Sequence, residues 1–471
     1  MREYGRKIGW VAILLLFTLQ ITFVHAQEHY IIATDTTFAP FEFQDATGQY
    51  VGIDIELLEA IAKDQGFTYE MRALGFNAAL QALESGQVDG VIAGMSITEE
   101  RKQTFDFSNP YYASGLSFAV YSRSDIESLE DLKGKKVAVK NGTAGAELAN
   151  ELASEVGFTV VTFEDSANMY EDVMVGNSDA TIEDYAVIAY AIQQGQLDLK
   201  LIGEQYRSTD FGFAVQKGKN HDLLTAFNTG LDNLKAQGSY DNIIEKYVGN
   251  NAQVASSKGF TALIGENWRT LLSGLWATLW ITFVSIAIAG VLGVVLGLMR
   301  VSPIKPLSIS ASIYVDIMRG LPLIVLAFFI YFGIPQMTGW RLSATFAGII
   351  TLSLNAAAYI AEIVRGGINA IDLGQMEASR SLGLPYRKSM QRVVLPQAIR
   401  VMVPSLINQF VITLKDTSIL SVIGLVELTQ SGKVIIARTY QSGNMWLIIG
   451  IMYLVVITVL TKLSKHLEGG H

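Results

Sequence analysis

Gly115-Leu116-Ser117-Phe118-Ala119-Val120 and Phe211-Gly212-Phe213-Ala214-Val215 are two similar extended runs, far apart in the chain, that decide the fold of its first half. Each run is apolar enough to form a buried strand that crosses between two lobes. Two such crossovers predict one lobe from 27–115 plus 213–250 and a second lobe from 116–212. A cleft between lobes that two strands join can close around a ligand by hinge motion.

Short β-rich runs alternate with amphipathic helical stretches throughout the segment 29–249. The clearest patterns predict strands at 30–34, 88–93 and 136–139 and a helix at 53–63 that ends near Gly66. Such alternation favours parallel sheets with helices on both faces. Because a single hydrophobic core stops growing in long chains, two lobes suit this length better than one. We therefore predict a bilobed α/β domain over 27–250.

The composition limits the classes of function. The chain has 471 residues, a net charge of −9, 50% hydrophobic residues and no cysteine, and its mean hydropathy is +0.32. This length leaves room for more than one domain, and the positive hydropathy indicates several membrane spans. The acidic balance argues against nucleic acid as a partner, because proteins usually meet it with Lys and Arg. The lack of cysteine excludes disulfides, thiolate metal sites and a cysteine nucleophile.

The start of the chain, 1–26, predicts a signal peptide. It combines a basic beginning, an apolar stretch over 8–24 and a small-x-small pattern at Val24-His25-Ala26. An uncleaved signal anchor is the alternative. Either version sends the chain from residue 27 onward to the outside of the cell.

The second half contains five stretches that are long and apolar enough to cross a bilayer, for which about 20 residues suffice. They lie near 271–299, 309–334, 343–365, 398–420 and 445–463. A polar segment over 251–267 predicts a linker to an all-α membrane domain of about five helices over 268–465. Lys and Arg cluster in the loops that this topology places in the cytoplasm, as the positive-inside rule requires. We predict a multi-pass protein of the cell membrane, surrounded by lipid, with its binding domain outside and its C-terminus in the cytoplasm.

The run Ala93-Gly94-Met95-Ser96-Ile97-Thr98-Glu99-Glu100-Arg101-Lys102 is one of several motifs that occur in order in the first half. The others are 33–43, 52–57, 106–112 and 137–143. Together they resemble the polar amino-acid branch of the periplasmic solute-binding proteins, and most of all the glutamine-binding proteins. The resemblance covers nearly all of 29–249 and implies a bilobed domain that closes on an amino acid.

The chemistry of an amino acid explains three of these residues without any family. A zwitterion needs a cation for its carboxylate and an anion for its ammonium group. The guanidinium of Arg101 can grip a carboxylate with two parallel hydrogen bonds. Ser96 can donate to the same oxygens, and Asp184 can balance the ammonium group.

The resemblance implies a fuller set of ligand contacts, grouped by the part of the ligand that they meet. The carboxylate ligands are Arg101, Ser96 and Thr143, and the ammonium ligands are Asp184 and the carbonyl of Gly94. Phe38 and Phe76 match aromatic residues that enclose the aliphatic stem, and Asp35 and Lys140 match residues that flank a side-chain amide. One donor and one acceptor suit a carboxamide, which carries both an NH2 and a C=O.

Three positions are weaker candidates for the ligand pocket. Glu183 stands where glutamine-binding proteins can have His, Ala144 stands where a Gly can occur, and Ala93 lies beside Gly94. These departures leave the substrate open: glutamine leads, followed by glutamate or asparagine, and arginine or histidine stays an alternative. Taken singly, Arg101 is typical of a solvated helix start, Phe38 and Phe76 of a core, and Asp35 and Asp184 of turn or helix caps. The joint spacing of the whole set favours the ligand site.

A second motif, Glu377-Ala378-Ser379-(x)3-Gly383-(x)9-Val393-Val394-Leu395-Pro396, lies in the long predicted cytoplasmic connection. It resembles the coupling loop of ABC importer permeases, with Ser379 and Val393 in place of the usual Ala and Ile. Residues 375–382 can form a short helix, with Gly383 as its C-cap and Pro385 in the first turn of another. The resemblance implies that the segment 375–396 contacts an ATPase through the residues Glu377, Ala378, Gly383, Leu395 and Pro396. An ordinary basic cytoplasmic loop is the alternative.

Asn355, Tyr359 and Glu362 are spaced to share one face of the third predicted span. Polar groups are costly in lipid, so this face should look into the helix bundle or a transport pathway. Contact between helices is the plainer interpretation, and we favour it over substrate contact.

The two resemblances together predict the binding and permease subunit of an ATP-driven amino-acid importer. The chain contains no Gly-(x)4-Gly-Lys-Ser/Thr phosphate loop. ATP and Mg²⁺ should therefore bind a separate cytoplasmic ABC ATPase, in two copies beneath a permease homodimer. We expect no cofactor, metal site or enzymatic activity in this chain, and no nucleic-acid partner. The alternatives are a ligand-gated channel or amino-acid sensor built on the same bilobed domain, and an enzyme related to the bilobed dehydratases.

Overall fold

The computed structural model describes residues 28–45, 47–193, 197–248 and 260–469. The predicted signal peptide, 1–26, lies outside these residues. Most of the predicted linker, 251–259, lies outside them too. The remaining linker residues, 260–267, are helical, so our linker prediction is wrong there: they form the first turns of a long helix that starts at Phe260.

The elements of the first half follow in chain order. They are β1 His29–Thr34, β2 Thr37–Phe38, β3 Glu42–Gln44, β4 Tyr50–Val51, α1 Ile53–Gln65, β5 Thr68–Ala73, α2 Phe76–Glu84, β6 Gly90–Val91, β7 Phe105–Phe107, β8 Tyr112–Tyr121, β9 Lys136–Lys140, α3 Ala144–Leu152, β10 Thr159–Phe163, α4 Ser166–Met174, β11 Ala180–Asp184, α5 Tyr185–Gln193, β12 Leu199–Phe211, β13 Ala214–Gln216, α6 His221–Ala236 and α7 Ser239–Val248. The predicted helix is confirmed: α1 ends at Gly66, which has a φ of 74°. The predicted strand at 88–93 is shorter, because only Gly90 and Val91 pair with β1.

Lobe one is a mixed sheet in the order β5-β1-β6-β13-β7. β1 is parallel to β5 and β6, whereas β13 returns from lobe two and runs antiparallel to β6 and β7. Its core includes Ile32, Phe41, Ile53, Phe213 and Phe227. Complete burial of such a side chain stabilises the folded state by roughly 1.5–3 kcal/mol. This cluster therefore makes lobe one a stable scaffold for a binding site at its edge.

Lobe two is a second sheet in the order β10-β9-β11-β8-β12. β8 and β12 pair in antiparallel fashion from Tyr112 opposite Phe211 to Tyr121 opposite Leu199. Both strands start or end at the border with lobe one, so they carry the two crossovers. The predicted bilobed fold with two crossovers is confirmed.

The second half consists of helices, joined in places by single π or 3₁₀ turns. They are α8 Phe260–Arg300, α9 Lys305–Gly320, α10 Leu323–Phe328, α11 Ile334–Thr338, α12 Ala344–Asn369, α13 Leu373–Ser381, α14 Tyr386–Ser389, α15 Leu395–Asp416, α16 Leu428–Thr439 and α17 Ser442–Gly469. Within the described ranges, four helical stretches are long and apolar enough to cross a membrane, and a bent pair raises the number to five. These numbers agree with the predicted membrane domain of about five helices.

The bent pair lies over the stretch near 309–334 that we predict as a span. α9 and the segment Leu323–Thr338 meet at an angle of 103°. Pro322 lies at the break and precedes α10. Proline lacks an N–H donor and disfavours helical geometry in the residue before it, which explains why the helix stops at Gly320.

α8 and α12 form a close helix pair in the membrane half. A side chain at Gly293 would clash with Ile360, and one at Gly297 would clash with Val364. Glycine at these positions lets the two backbones approach each other, as small residues commonly do between membrane helices.

Lobe one packs directly on the membrane half. Its residues Leu74 and Leu83 share a hydrophobic cluster with Leu326, Leu420 and Leu425. At the edge of this cluster the guanidinium of Arg341 donates to both oxygens of Asp89, at 2.6 and 3.0 Å. Gln87 donates to the carbonyl of Tyr331 and accepts from the backbone N–H of Leu342. Apolar burial and a bidentate ion pair therefore both attach lobe one to the membrane half.

Lobe two meets the membrane half at the start of α4. Ser442 donates to Asn168 at 3.3 Å, and the rings of Tyr170 and Tyr440 lie 6.2 Å apart. Across the described part of the chain, no ion pair joins lobe two to the membrane half. Both lobes thus touch the membrane half, and the cleft between them faces it.

Candidate ligand-binding site

The two lobes meet around one small cavity in the cleft, of about 10 Å³. The residues that line it are Phe38, Phe76, Ala93, Gly94, Ser96, Arg101, Lys140, Thr143, Ala144 and Asp184. All of them are residues that we predict for the ligand pocket. The structure therefore brings these predicted residues together, whereas Asp35 and Glu183 do not line this cavity. Contact of any of them with a ligand stays a prediction.

Arg101 begins a single 3₁₀ turn and is 93% buried, with an exposed fraction of 7%. One of its nitrogens donates to the carbonyl of Ser96 and another to the carbonyl of Gly142, each at 2.8 Å. Glu147 lies 3.7 Å away. Burial lowers the pKa of Arg101, although Glu147 and Asp184 oppose the shift, and the group stays charged. A guanidinium has five N–H donors, so several stay available for a carboxylate.

Asp35 and Lys140 form a buried ion pair of 2.5 Å across the cleft. Asp35 follows β1 in lobe one, and Lys140 ends β9 in lobe two. Burial lowers the pKa of Lys140, but the charges of Asp35 and Glu183 outweigh it, so that the pKa lies above its ordinary value. The ammonium group also lies 5.0 Å from the ring of Phe38 and 5.8 Å from that of Phe76. The predicted aromatic pair therefore flanks a charged lysine.

The carbonyl predicted for the ammonium group belongs to Gly94, which has a φ of 50°. A Cβ atom there would lie 2.4 Å from the ring of Phe38, so only glycine fits. Its N–H donates to Asp54 at 2.8 Å, and the hydroxyl of Tyr111 donates to the same oxygen. Asp54 thus positions the backbone that lines the cavity.

Asp54 has a buried acidic neighbour, Glu42. Burial raises the pKa of Asp54 to about 6. Burial also raises the pKa of Glu42, and the nearby charge of Asp54 raises it further. Two adjacent carboxyls resist a second negative charge, so each opposes the ionisation of the other. Sequence reasoning missed this pair. Its signal is an acid within each of the apolar runs Phe41-Glu42-Phe43 and Ile53-Asp54-Ile55.

Thr143 lies at the N-terminus of α3. Its hydroxyl accepts from the N–H of Ala146 at 3.2 Å and donates to the carbonyl of Lys140 at 2.8 Å. The hydroxyl therefore caps the helix. Thr143 and Ala144 line the cavity. The partial positive charge at the start of α3 and the charge of Arg101 therefore both attract an anion into the cavity.

The structure places Glu183 behind the cavity. Its carboxylate accepts from Ser166 at 2.7 Å and from Tyr170 at 3.4 Å inside lobe two. Glu183 is therefore a buried hydrogen-bond partner that does not line this cavity, and its place among the weaker pocket candidates stays a prediction. Asp184, the next residue, does line the cavity, because successive strand residues point to opposite faces.

The three polar residues predicted along the third span separate in the structure. Asn355 and Tyr359 line an open cavity of about 480 Å³ together with Arg319 and Asp416. Glu362 instead forms an ion-pair network with the following arginines: Arg300, Arg319 and Arg365. The network supports contact between helices for Glu362, and a pathway role of the other two stays a prediction.

The predicted coupling segment forms two short helices. Asp372 caps α13 through the N–H of Gly374 at 2.7 Å, and Gly383 follows this helix with a φ of 88°. Pro385 directly precedes α14, so the predicted helix–turn–helix is confirmed, with α13 starting two residues earlier.

The coupling residues lie on an accessible surface. Glu377, Ala378, Gly383 and Pro396 are exposed, and Leu395 is half-buried. Two apolar side chains beside them are also exposed, Leu373 by 79% and Leu382 by 85%. Exposed leucines next to a rigid turn are typical of a surface that a partner covers.

Comparison with known families assigns both halves. Residues 30–250 match the bacterial extracellular solute-binding proteins, family 3, and 289–470 match the binding-protein-dependent transport system inner membrane component. The chain belongs to these families: it is an amino-acid ABC transporter permease fused to a substrate-binding domain.

Two relatives illustrate the permease half. The arginine transport system permease protein ArtQ of Bacillus subtilis (strain 168) is 39% identical over 198 residues, which cover 42% of this chain and 90% of ArtQ. The glutamine transport system permease protein GlnP of Escherichia coli (strain K12) is 36% identical over 199 residues, which cover 42% of this chain and 91% of GlnP. The permease half is thus similar to transporters named for either amino acid.

Solved binding domains resemble the first half. The second substrate-binding domain of a putative amino acid ABC transporter from Streptococcus pneumoniae Canada MDR_19A is 49% identical, covering 46% of this chain and 99% of that chain, with a TM-score of 0.37. An ancestral arginine-binding protein bound to glutamine is 40% identical, covering 48% of this chain and 100% of that chain, with a TM-score of 0.45. Within the described ranges, no group of three His, Asp or Glu side chains is placed to hold a metal ion.

Proposed function

We propose that the chain imports glutamine, and that ATP hydrolysis on a separate cytoplasmic ATPase drives the import. The observation that carries this proposal is the charge pattern of the cleft. Arg101 and Asp184 line one cavity at positions suited to a carboxylate and an ammonium group. The Asp35–Lys140 pair adds one acceptor and one donor beside it.

The Asp35–Lys140 pair favours a neutral carboxamide over a charged side chain. The amide of glutamine carries both a donor and an acceptor, so it can meet both residues. The carboxylate of glutamate would lie beside Asp35, and the guanidinium of arginine would lie beside Lys140. A like charge within a buried site disfavours either ligand. Asparagine has the same amide on a shorter stem, so it would reach the pair less well.

The energy source follows from the coupling segment. α13 with its exposed leucines offers a surface for an ABC ATPase, which would bind ATP and Mg²⁺. One permease domain per chain favours a homodimer with two ATPase copies beneath it. In this arrangement the binding domain lies outside the cell and α13 in the cytoplasm.

The mechanism that suits these parts is alternating access. Glutamine would draw the two lobes together, because its carboxylate meets Arg101 in lobe one and the start of α3 in lobe two. The ATPase would then open the membrane helices toward the outside, and the docked lobes would release glutamine into them. A ligand-gated channel would conduct without ATP, which separates the two models.

Uptake of radiolabelled glutamine by cells of the native host tests the proposal. Cells that lack the chain should regain energy-dependent uptake with the wild type and with Lys102→Ala, and should fail with Arg101→Ala. Lys102 is a matched control, because it neighbours Arg101 and pairs with Glu99 on the surface. Uptake that persists with Arg101→Ala, or that continues after ATP depletion, would contradict the proposal.

A further inference from the structure

A second cavity lies between the ligand cleft and the membrane helices. Its volume is about 310 Å³, which is in the range of pockets that hold small molecules. The binding domain contributes Asp35, Phe76 and Asn141 to its wall, and the membrane half contributes Phe328, Gln430 and Lys433. We call this space the transfer cavity.

The transfer cavity adjoins the ligand cleft. Phe76 lines both spaces, and Asp35 in the wall of the transfer cavity is bonded to Lys140 in the wall of the cleft. A ligand that leaves the cleft when the lobes separate would therefore enter the transfer cavity first.

Lys433 is a cation on the membrane side of this cavity. It lies on α16, which packs against β2 and β3 of lobe one, and it is half-buried. Its ammonium group donates to the hydroxyl of Ser421 at 3.4 Å. No carboxylate among the residues with described positions lies within 4.0 Å of it. A partly desolvated cation without an ion-pair partner attracts an anionic group.

Two acidic residues share the wall of this cavity with Lys433. Glu164 and Asp165 of lobe two line the same cavity. Asp165 caps α4 through the N–H of Asn168 at 2.9 Å, and Glu164 accepts from Asn141 at 3.2 Å. These bonds fix two carboxylates in place, so the cavity wall carries both a cation and anions. This is the charge pattern of a site for a zwitterion.

We propose that the transfer cavity is a second amino-acid site, in which Lys433 receives the α-carboxylate of the substrate between the cleft and the membrane pathway. This inference rests on the proposed import function. Lys433 binds weakly enough to release the ligand, because it offers one point charge where the cleft offers the guanidinium fork of Arg101 and the start of α3.

Binding of labelled L-glutamine to the full-length chain in lipid nanodiscs tests the site directly. Arg101→Ala disables the cleft, and this variant should retain weak binding with a Kd on the order of 1 mM. Adding Lys433→Gln should weaken that residual binding at least tenfold, whereas adding Lys433→Arg should preserve it. Lys305→Gln is the control, because Lys305 is exposed at the start of α9 and does not line the cavity. Residual binding that Lys433→Gln leaves unchanged, or no residual binding at all, would overturn the proposal.

Uptake separates a transfer role from a docking role. With an intact cleft, Lys433→Gln should bind glutamine within twofold of the wild type while uptake falls at least tenfold. In the alternative, Lys433 merely attracts the acidic loop of lobe two. The double change Glu164→Gln with Asp165→Asn would then reproduce the loss of uptake, and Lys433→Gln would leave the residual glutamine binding of Arg101→Ala intact. That result would overturn the proposal. Failure of the import function itself has a different signature, because then the wild type would neither bind glutamine in the cleft nor take it up.

Discussion

Lobe one and lobe two supply opposite walls of the same cleft, but they are attached to the membrane half in different ways. Lobe one is held by a hydrophobic cluster and by the ion pair of Asp89 with Arg341. Lobe two touches the membrane half through the start of α4, where Asn168 accepts a hydrogen bond, Tyr170 contacts a ring and Ala167 packs in a hydrophobic cluster with the membrane helices. Because no ion pair among the described residues joins lobe two to the membrane half, we expect lobe two to be the part that moves when the cleft opens.

This difference gives the cleft residues different tasks. Arg101 belongs to the fixed lobe and would hold the ligand in place. Lys140 and Asp184 belong to the lobe that moves and would follow the ligand as it binds. The contacts of Arg101 with Gly142 and of Asp35 with Lys140 cross the cleft, so they must break before a ligand enters or leaves.

The largest effect is expected from Arg101→Ala. Removing one partner from a buried, hydrogen-bonded charge pair costs about 3 kcal/mol, so the affinity for glutamine should fall at least ~100-fold. Isothermal titration of the full-length chain measures it. Lys102→Ala should bind like the wild type. An equal affinity of Arg101→Ala and wild type would mean that lobe one does not hold the carboxylate.

A smaller effect is expected from Asp35→Asn, which tests the contact between the lobes. The change leaves Lys140 without its ion-pair partner, and an unsatisfied buried group costs about 1–3 kcal/mol. Glutamine affinity should fall about tenfold. Glutamate should gain relative to glutamine, because its carboxylate can replace the lost charge beside Lys140. Parallel titrations with both amino acids measure the ratio, and an unchanged ratio would remove Asp35 from the side-chain site.

Arg341→Ala tests the attachment of lobe one. Arg341 is 37% exposed on its side chain, so solvent screening limits the loss to about 1 kcal/mol. Uptake should therefore fall about fivefold while glutamine binding stays unchanged.

Ser442→Ala is the matched change for lobe two. It removes a single long hydrogen bond, so uptake should stay within about twofold of the wild type. Uptake rates from host cells at equal expression compare the two variants. A larger loss with Ser442→Ala than with Arg341→Ala would reverse the assignment of the fixed and the moving lobe.

The smallest effect concerns the rigidity of lobe one. The pKa values of Glu42 and Asp54 lie above their ordinary values in the folded chain, Asp54 at about 6. Their contribution to stability is therefore present at pH 4 and is lost as the pH rises through about 6. Glu42→Gln removes one of the two acids, so its stability relative to the wild type should increase between pH 5 and pH 8. A gain of 1 kcal/mol would raise the melting temperature by about 2–4 °C.

Thermal unfolding of the purified full-length chain at both pH values measures the change in melting temperature. Glu59→Gln is a suitable control, because Glu59 is exposed on the outer face of α1. If the difference between Glu42→Gln and wild type were the same at pH 5 and pH 8, the pKa of Glu42 would not be raised in the folded chain.

Much of the fold and of the cleft could be predicted from the sequence. β8 and β12 have clear apolar patterns, and the chemistry of a zwitterion selects Arg101 and Asp184 from the many charged residues. The features that the sequence did not predict have physical causes. The pattern of hydrophobic residues does not reveal the bend at Pro322, because both sides of the bend are apolar.

Contacts between distant parts of the chain could also not be predicted from the sequence. Asp89 and Arg341 are 252 positions apart, and no periodicity links them. The sequence also does not single out Lys433, which lies in a short helix outside the predicted spans. Only the fold shows that Lys433 lines a cavity. Asp184 lines the cleft cavity and Glu183 does not, because adjacent strand residues face opposite ways. The sequence does not say which of two neighbouring acids faces the cleft.

The most direct test of the account is a calorimetric titration of the full-length chain with glutamine, arginine, glutamate and asparagine in turn. The account predicts that glutamine binds most tightly, because its amide meets both Asp35 and Lys140. Tighter binding of arginine, or no binding of any amino acid, would contradict it.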